Sequence, residues 1–174
     1  MQVTDYPQAL ILMLCSTLLL ACYFDSRYNR IPNWLNGTVI FLAIAFHTIT
    51  DSTIGLIFST LGTLTGFACF FPGYLFNKAM GAGDVKLMTA LGGILGSQAI
   101  FVSALFTLIA GGILALFYIA LKGQLLPTMQ RYWLSTRLMT YLSPADGEVT
   151  TGKFPYALAI TTGVILQFYY QTLV

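Results

Sequence analysis

The chain has 174 residues, 57% of them hydrophobic and only 8% charged, with a mean hydropathy of +0.78. A water-exposed domain covers itself with roughly a quarter charged residues, so this composition excludes a soluble globular protein and requires lipid over much of the surface. Eight basic against six acidic side chains leave a net charge of +2. No nucleic-acid partner is expected, and one transmembrane domain, 1–174, is expected at this length.

In chain order, apolar runs fall near 8–24, 34–50, 54–76, 85–97, 99–121 and 155–173. A full span takes roughly 20 apolar residues. The fourth run is closer to a half-span, and only Gly96, Ser97 and Gln98 join it to the fifth. Leu19-Leu20-Ala21-Cys22 resembles a lipoprotein cleavage box. The preceding Met1–Gln8 carries Asp5 and no positive charge, so a retained span is expected rather than a signal peptide. Cys15, Cys22 and Cys69 show no C-x-x-C spacing, and His47 is the single histidine. No metal and no cofactor are expected on that pattern. Cys15 and Cys22 sit about 10 Å apart along one helix and cannot bridge. All three cysteines are expected to be reduced, buried, small apolar residues. His47 is expected to be packed or interfacial.

Gly62 with Gly66, Gly92 with Gly96, and the Gly111-Gly112 pair are expected at close helix contacts. The sizeable loop is 122–154. Within it, Thr128–Leu142 suits a helix lying in the membrane interface, and Ser143–Gly147 reads as a turn. Pro155 opens the last run, where a first helical turn tolerates proline.

The charges orient these runs. Arg27 and Arg30 follow the first; Lys78 and Lys86 lie between the third and fourth; Lys122, Arg131, Arg137 and Lys153 lie between the fifth and sixth. With six spans all eight cations fall on one side, which the positive-inside rule makes cytoplasmic. The other side holds Asp5 and Asp51. The expected architecture is an all-α integral membrane bundle of about six helices with both termini outside.

Two carboxylates then stand out at the cytoplasmic boundary. Asp25 ends the first span, at the negative end of its helix dipole, and an ion pair with Arg27 or Arg30 is one account of it. Pro32 breaks the chain before the second span. Asp84 closes Gly81-Ala82-Gly83-Asp84 just before the fourth run, and a helix N-cap is one account of it. Taken together, they are expected on the same face at the ends of different spans. Two carboxylates brought close share one proton. The ionised one can then take a proton from water while the neutral one polarises a scissile carbonyl. A small transporter or channel using both aspartates as a cation or proton site is the alternative, although such sites sit near the midplane within repeats and no repeat is present. A scaffold subunit with structural aspartates is a third reading.

These residues carry a resemblance. Gly81-Ala82-Gly83-Asp84-Val85-Lys86-Leu87 matches the G-x-G-D-x-K-L stretch of the type IV prepilin peptidases. Asp25-Ser26-Arg27 followed by Arg30-Ile31-Pro32-Asn33 looks like their D-x-R with I-P-N. Lys153-Phe154-Pro155-Tyr156-Ala157 resembles the Pro-Tyr/Phe entry to their last span. Archaeal preflagellin peptidases are similar in frame, and the I-P-N segment favours the pilin type. The resemblance implies that Asp25 and Asp84 are catalytic, with Gly81, Gly83, Lys86, Arg30, Pro32 and Asn33 supporting them. It implies cleavage of a short basic leader, after a glycine, from prepilins or pseudopilins at the cytoplasmic face of the bacterial inner membrane. Larger relatives add a C-x-x-C region and an N-methyltransferase activity; without that motif, the short peptidase-only form is expected. Arg27 and Arg30 are expected to set topology, and Lys86 to tune the dyad, hold substrate or anchor at the interface. Asp146 and Glu148 are expected to be solvated or to face the basic leader, and 77–84 to close over the substrate.

Overall fold

A computed structural model of the chain describes residues 7–77, 81–123 and 156–173, with Leu126, Met129, Gln130, Trp133 and Arg137 placed singly. Among these residues the regular structure is helical: α1 (Gln8–Tyr28), α2 (Asn33–Asn77), α3 (Ala82–Leu121) and α4 (Ala157–Leu173). Gln8–Tyr28, Asn33–Leu75 and Ala82–Leu121 are each long and apolar enough to cross a membrane.

In α1 the buried residues are Leu10, Leu14, Thr17, Leu18, Ala21 and Asp25, a stripe at helical spacing. Its other faces expose Leu12, Leu19 and Leu20, an outer surface suited to lipid rather than water. Cys15 lies one position off the stripe and faces outward. The expectation that all three cysteines are buried is therefore wrong for Cys15, because the stripe, not the apolar character of the thiol, decides which residues point inward. Cys22 and Cys69 are half-buried, and all three are free.

A straight helix of 45 residues would measure about 68 Å, twice the thickness of a bilayer core. α2 instead leaves helical geometry at Asp51 and Ser52, where Ser52 has φ 53°. A Cβ on Gly93 would stand 3.3 Å from Ala43 Cβ and 3.0 Å from Thr63 Oγ1, although those two lie about 30 Å apart on a straight helix. The chain therefore folds back between them. α3 does the same at Gly96, whose φ of 80° and ψ of 172° suit glycine almost alone. Beyond that break Thr107 packs on Gly163 of α4. The runs read from sequence as 34–50 with 54–76, and 85–97 with 99–121, are thus paired limbs of two broken helices.

Glycine sets the approach of these limbs. A Cβ on Gly62 would lie 2.0 Å from the Gly92 carbonyl oxygen, and one on Gly66 would lie 2.2 Å from that of Met88. Backbone meets backbone here, as small residues permit between membrane helices. Gly112, by contrast, has nothing within 4 Å of its Cβ position. Its expected packing role is not observed, since the residue faces open space. The first limb of α3 forms the centre of the core: Leu87, Met88, Leu91, Ile94 and Leu95 are all buried, with Leu14, Val39, Phe70 and Ile160 around them. Burial on every side is what a helix apolar all round requires. His47 is packed, its Nε2 3.3 Å from the Ile94 carbonyl oxygen and its ring against Phe58.

The chain divides into two compact units, 1–110 with 155–174, and 111–154. In the second, α3 ends at Leu121, Gly123 turns the chain with φ 67°, and the Arg137 guanidinium lies 5.0 Å over the Trp133 ring. The helix expected over 128–142 falls on a stretch described only at single positions. The turn at 143–147, Asp146, Glu148, Asp5, Lys78, Arg131, Lys153, Pro155 and residues 78–80 of the expected closing segment lie outside the described residues.

Candidate active site

Asp25 is the last member of the buried stripe of α1, and only 7% of it is exposed. Its own helix presents it with carbonyl oxygens, the unfavourable end for an anion. The compensation comes from another helix. Asp25 Oδ2 accepts the backbone N–H of Ala157, the first residue of α4, at 2.9 Å. First-turn N–H groups lack acceptors within their own helix, so the carboxylate meets a need of α4. The partner is a helix end rather than Arg27 or Arg30. Just beyond, Asn29 closes α1 in the left-handed region at φ 48°, with its N–H on the Asp25 carbonyl at 2.8 Å. That turn leads into buried Ile31, Pro32 and the start of α2.

Asp84 is set at the third position of α3 rather than at its N-cap. Its Oδ2 accepts the Gly81 N–H at 3.1 Å while the Gly81 carbonyl accepts the N–H of Asp84 at 3.1 Å. This is the side-chain half of a capping box. The glycines allow it. A Cβ on Gly81 would stand 3.1 Å from Asp84 Oδ2, and one on Gly83 would stand 3.3 Å from Ile31 Cβ. Lys86 donates from Nζ to Asn33 Oδ1 at 2.8 Å, tying the beginning of α3 to that of α2.

These pieces enclose one cavity of about 530 Å³. Asp25 and Asp84 both line it, as do Arg30, Pro32, Asn33, Gly81, Gly83 and Lys86, so every supporting residue expected from sequence is present. Arg27 is not among the lining residues. The two carboxylates are close enough for the charge of Asp25 to bear on Asp84, and that of Asp84 reaches the Tyr156 phenol. Sequence reasoning passed over three contributors: Asn29, the Ala157 N–H and half-buried Tyr156, whose ring meets Phe70. The Pro-Tyr-Ala stretch pointed to the last two, but its proline was read only as a helix start. A backbone donor has no side-chain signature.

Two buried carboxylates thus line one cavity, each accepting a backbone N–H through one oxygen. The model of the type IV leader peptidase family matches residues 12–116, a stretch holding Asp25, Arg30 to Asn33, and Asp84. No curated protein and no solved structure matches the chain. With more than half of its length inside that family match and with helices of membrane-crossing length around the paired aspartates, this chain belongs to the type IV leader peptidase family.

Proposed function

We propose that the protein is an aspartyl endopeptidase that removes the basic leader of type IV prepilins or pseudopilins at the cytoplasmic face of the bacterial inner membrane. The observation that carries this reading is that Asp25 and Asp84, from different helices, line one cavity. Six spans with both termini outside form the frame. The chain reversals at Asp51–Ser52 and at Gly96 support that count, and in this frame the eight cations share one face.

In the proposed reaction a water sits between the carboxylates. The ionised one takes its proton as the oxygen attacks the scissile carbonyl, while the protonated one donates to the carbonyl oxygen. As the tetrahedral gem-diol collapses, one carboxyl gives its proton to the leaving nitrogen while the other carboxylate takes a hydroxyl proton from the gem-diol, so the pair again holds one proton. Among the described residues, hydrogen bonds hold Oδ2 of each aspartate, and the proposed reaction uses Oδ1 of each for water and substrate. Arg30 and Lys86 at the cavity do not suit a basic leader, so we assign them to topology and to fixing α2 against α3. The position of both aspartates at helix ends supports hydrolysis at a membrane boundary over a transport path through the midplane.

The test is co-expression with a model prepilin (basic leader, glycine, hydrophobic helix), following leader loss by gel shift. Wild type is compared with Asp25→Asn and Asp84→Asn at matched membrane levels. Loss of cleavage in both variants is expected. Cleavage surviving in either removes that residue from the dyad.

A further inference from the structure

A second cavity, of about 360 Å³, lies well away from the aspartates. Gln98, Phe101 and Val102 line it from the second limb of α3, and Gln167, Tyr170 and Gln171 line it from α4. Gln167 and Gln171 follow Ala157 by ten and fourteen residues, so the cavity is about 15–20 Å along α4 from the carboxylates. That displacement carries it towards the opposite end of the helix.

Its chemistry is unlike that of the surrounding surface. Gln167 is 1% exposed, and neither its Nε2 nor its Oε1 has a hydrogen-bond partner among the described residues. The Oε1 of Gln171 is also buried without a partner among them. Away from water, an unmet carboxamide is costly, and membrane helices settle such groups on a partner. The cavity supplies the room for one. Of its lining residues Phe101 and Tyr170 are exposed large side chains, so the occupant arrives from the hydrocarbon. Among the described residues no charged side chain lines it. Three carboxamides and a phenol supply donors for phosphate and ester oxygens, together with acceptors for an N–H group. Because Gln167 is recessed, a narrow head-group reaches it where the side of another helix does not.

We propose that this cavity binds the head-group of a zwitterionic glycerophospholipid that carries N–H donors, as ethanolamine does. The phosphodiester accepts from the glutamine amides and Tyr170, and the ammonium donates to carboxamide oxygens, so no protein charge is needed.

The test uses the full chain purified from vesicles of equal parts phosphatidylethanolamine, phosphatidylglycerol and phosphatidylcholine. Bound lipid is counted by native mass spectrometry, and the thermal midpoint is measured with each lipid added back. Wild type should keep one phosphatidylethanolamine per chain, in preference to the choline lipid that lacks N–H donors, and its midpoint should rise with that lipid. Gln167→Leu should lower retention about tenfold, as loss of one or two hydrogen bonds implies, and should abolish the rise. Gln98→Ala, at the exposed rim, carries the test if the buried variant does not fold, and should lower retention in the same direction. Equal retention of the three lipids, or undiminished retention in the folded variants, overturns the proposal. So does an equal rise with soluble glycerophosphoethanolamine alone, which would make the ligand a free phosphodiester and not a lipid.

Discussion

Replacing Asp25 in two ways separates its chemistry from its part in the fold. Asp25 is 7% exposed, and its carboxylate accepts the Ala157 N–H at 2.9 Å. A hydrogen bond to a charged partner contributes about 1.5–3 kcal/mol, against about 0.5–1.5 kcal/mol for a neutral one. In Asp25→Asn the amide oxygen can occupy the same place, so about 1 kcal/mol of that bond is lost. Removing a buried charge beside Asp84 offsets part of the loss, and the variant should melt within about 1 kcal/mol of wild type. In Asp25→Ala the acceptor is gone. A buried, unmet N–H costs about 1–3 kcal/mol, so this variant should be clearly the less stable of the two. Leader cleavage should fall by about 10²–10⁴-fold in both, the range for losing an acid–base group. Thermal unfolding in detergent and the prepilin gel shift read the two quantities independently. Equal stabilities for the Asn and Ala variants would refute the capping role, and wild-type cleavage by Asp25→Asn would refute the dyad.

Other positions extend the reasoning. Gly81→Ala places a Cβ 3.1 Å from Asp84 Oδ2; the carboxylate must shift by a few tenths of an ångström, so cleavage should drop about tenfold while the melting point hardly moves. Gly62→Ala drives a Cβ to 2.0 Å from the Gly92 carbonyl oxygen, and because backbone cannot yield as a side chain does, a loss of about 1–3 kcal/mol is expected in thermal unfolding. Gly96→Ala must hold φ near 80° and also meets the Phe58 ring, so it should lower stability by at least about 1–3 kcal/mol. For Lys86→Met and Asn33→Leu, a double-mutant cycle should return a coupling of about 0.5–1.5 kcal/mol, reflecting their 2.8 Å hydrogen bond; zero coupling would mean the bond does not join α2 to α3.

Composition made the helices legible, because so apolar a chain has few other ways to satisfy its backbone in lipid. The connections at Asp51–Ser52 and around Gly96 were also legible, from a pause in hydropathy and from glycine. The aspartates were found because ionisable groups beside apolar runs are rare; charge placement led to the expectation of one common face, whereas their common cavity is legible only in the structure. What escaped was direction and partnership. Cys15 and Gly112 have side-chain chemistry that suits packing, yet helix phase turns both outward. The acceptor role of Asp25 depends on a residue 132 positions away, a distance at which neither propensity nor periodicity carries information. Asp84 showed the right tendency, helix capping, at a different register: the third helical position instead of the N-cap.

That pair of capping roles offsets part of what it costs to hold two carboxylates in one buried cavity. Desolvation and mutual repulsion both act against them. Each carboxylate, however, accepts N–H groups at the start of a helix: Asp84 at the start of its own α3, Asp25 at the start of α4. Those donors form the positive ends of helix dipoles and would otherwise be unmet near lipid. The same bonds that cap the helix starts in a low-dielectric surrounding therefore stabilise the anionic oxygens, and among the described residues they fix Oδ2 of both aspartates without recruiting Lys or Arg. A cationic clamp on either aspartate would hold it ionised and weaken it as a base. Backbone donors leave room for the shared proton that the proposed water-activating pair requires.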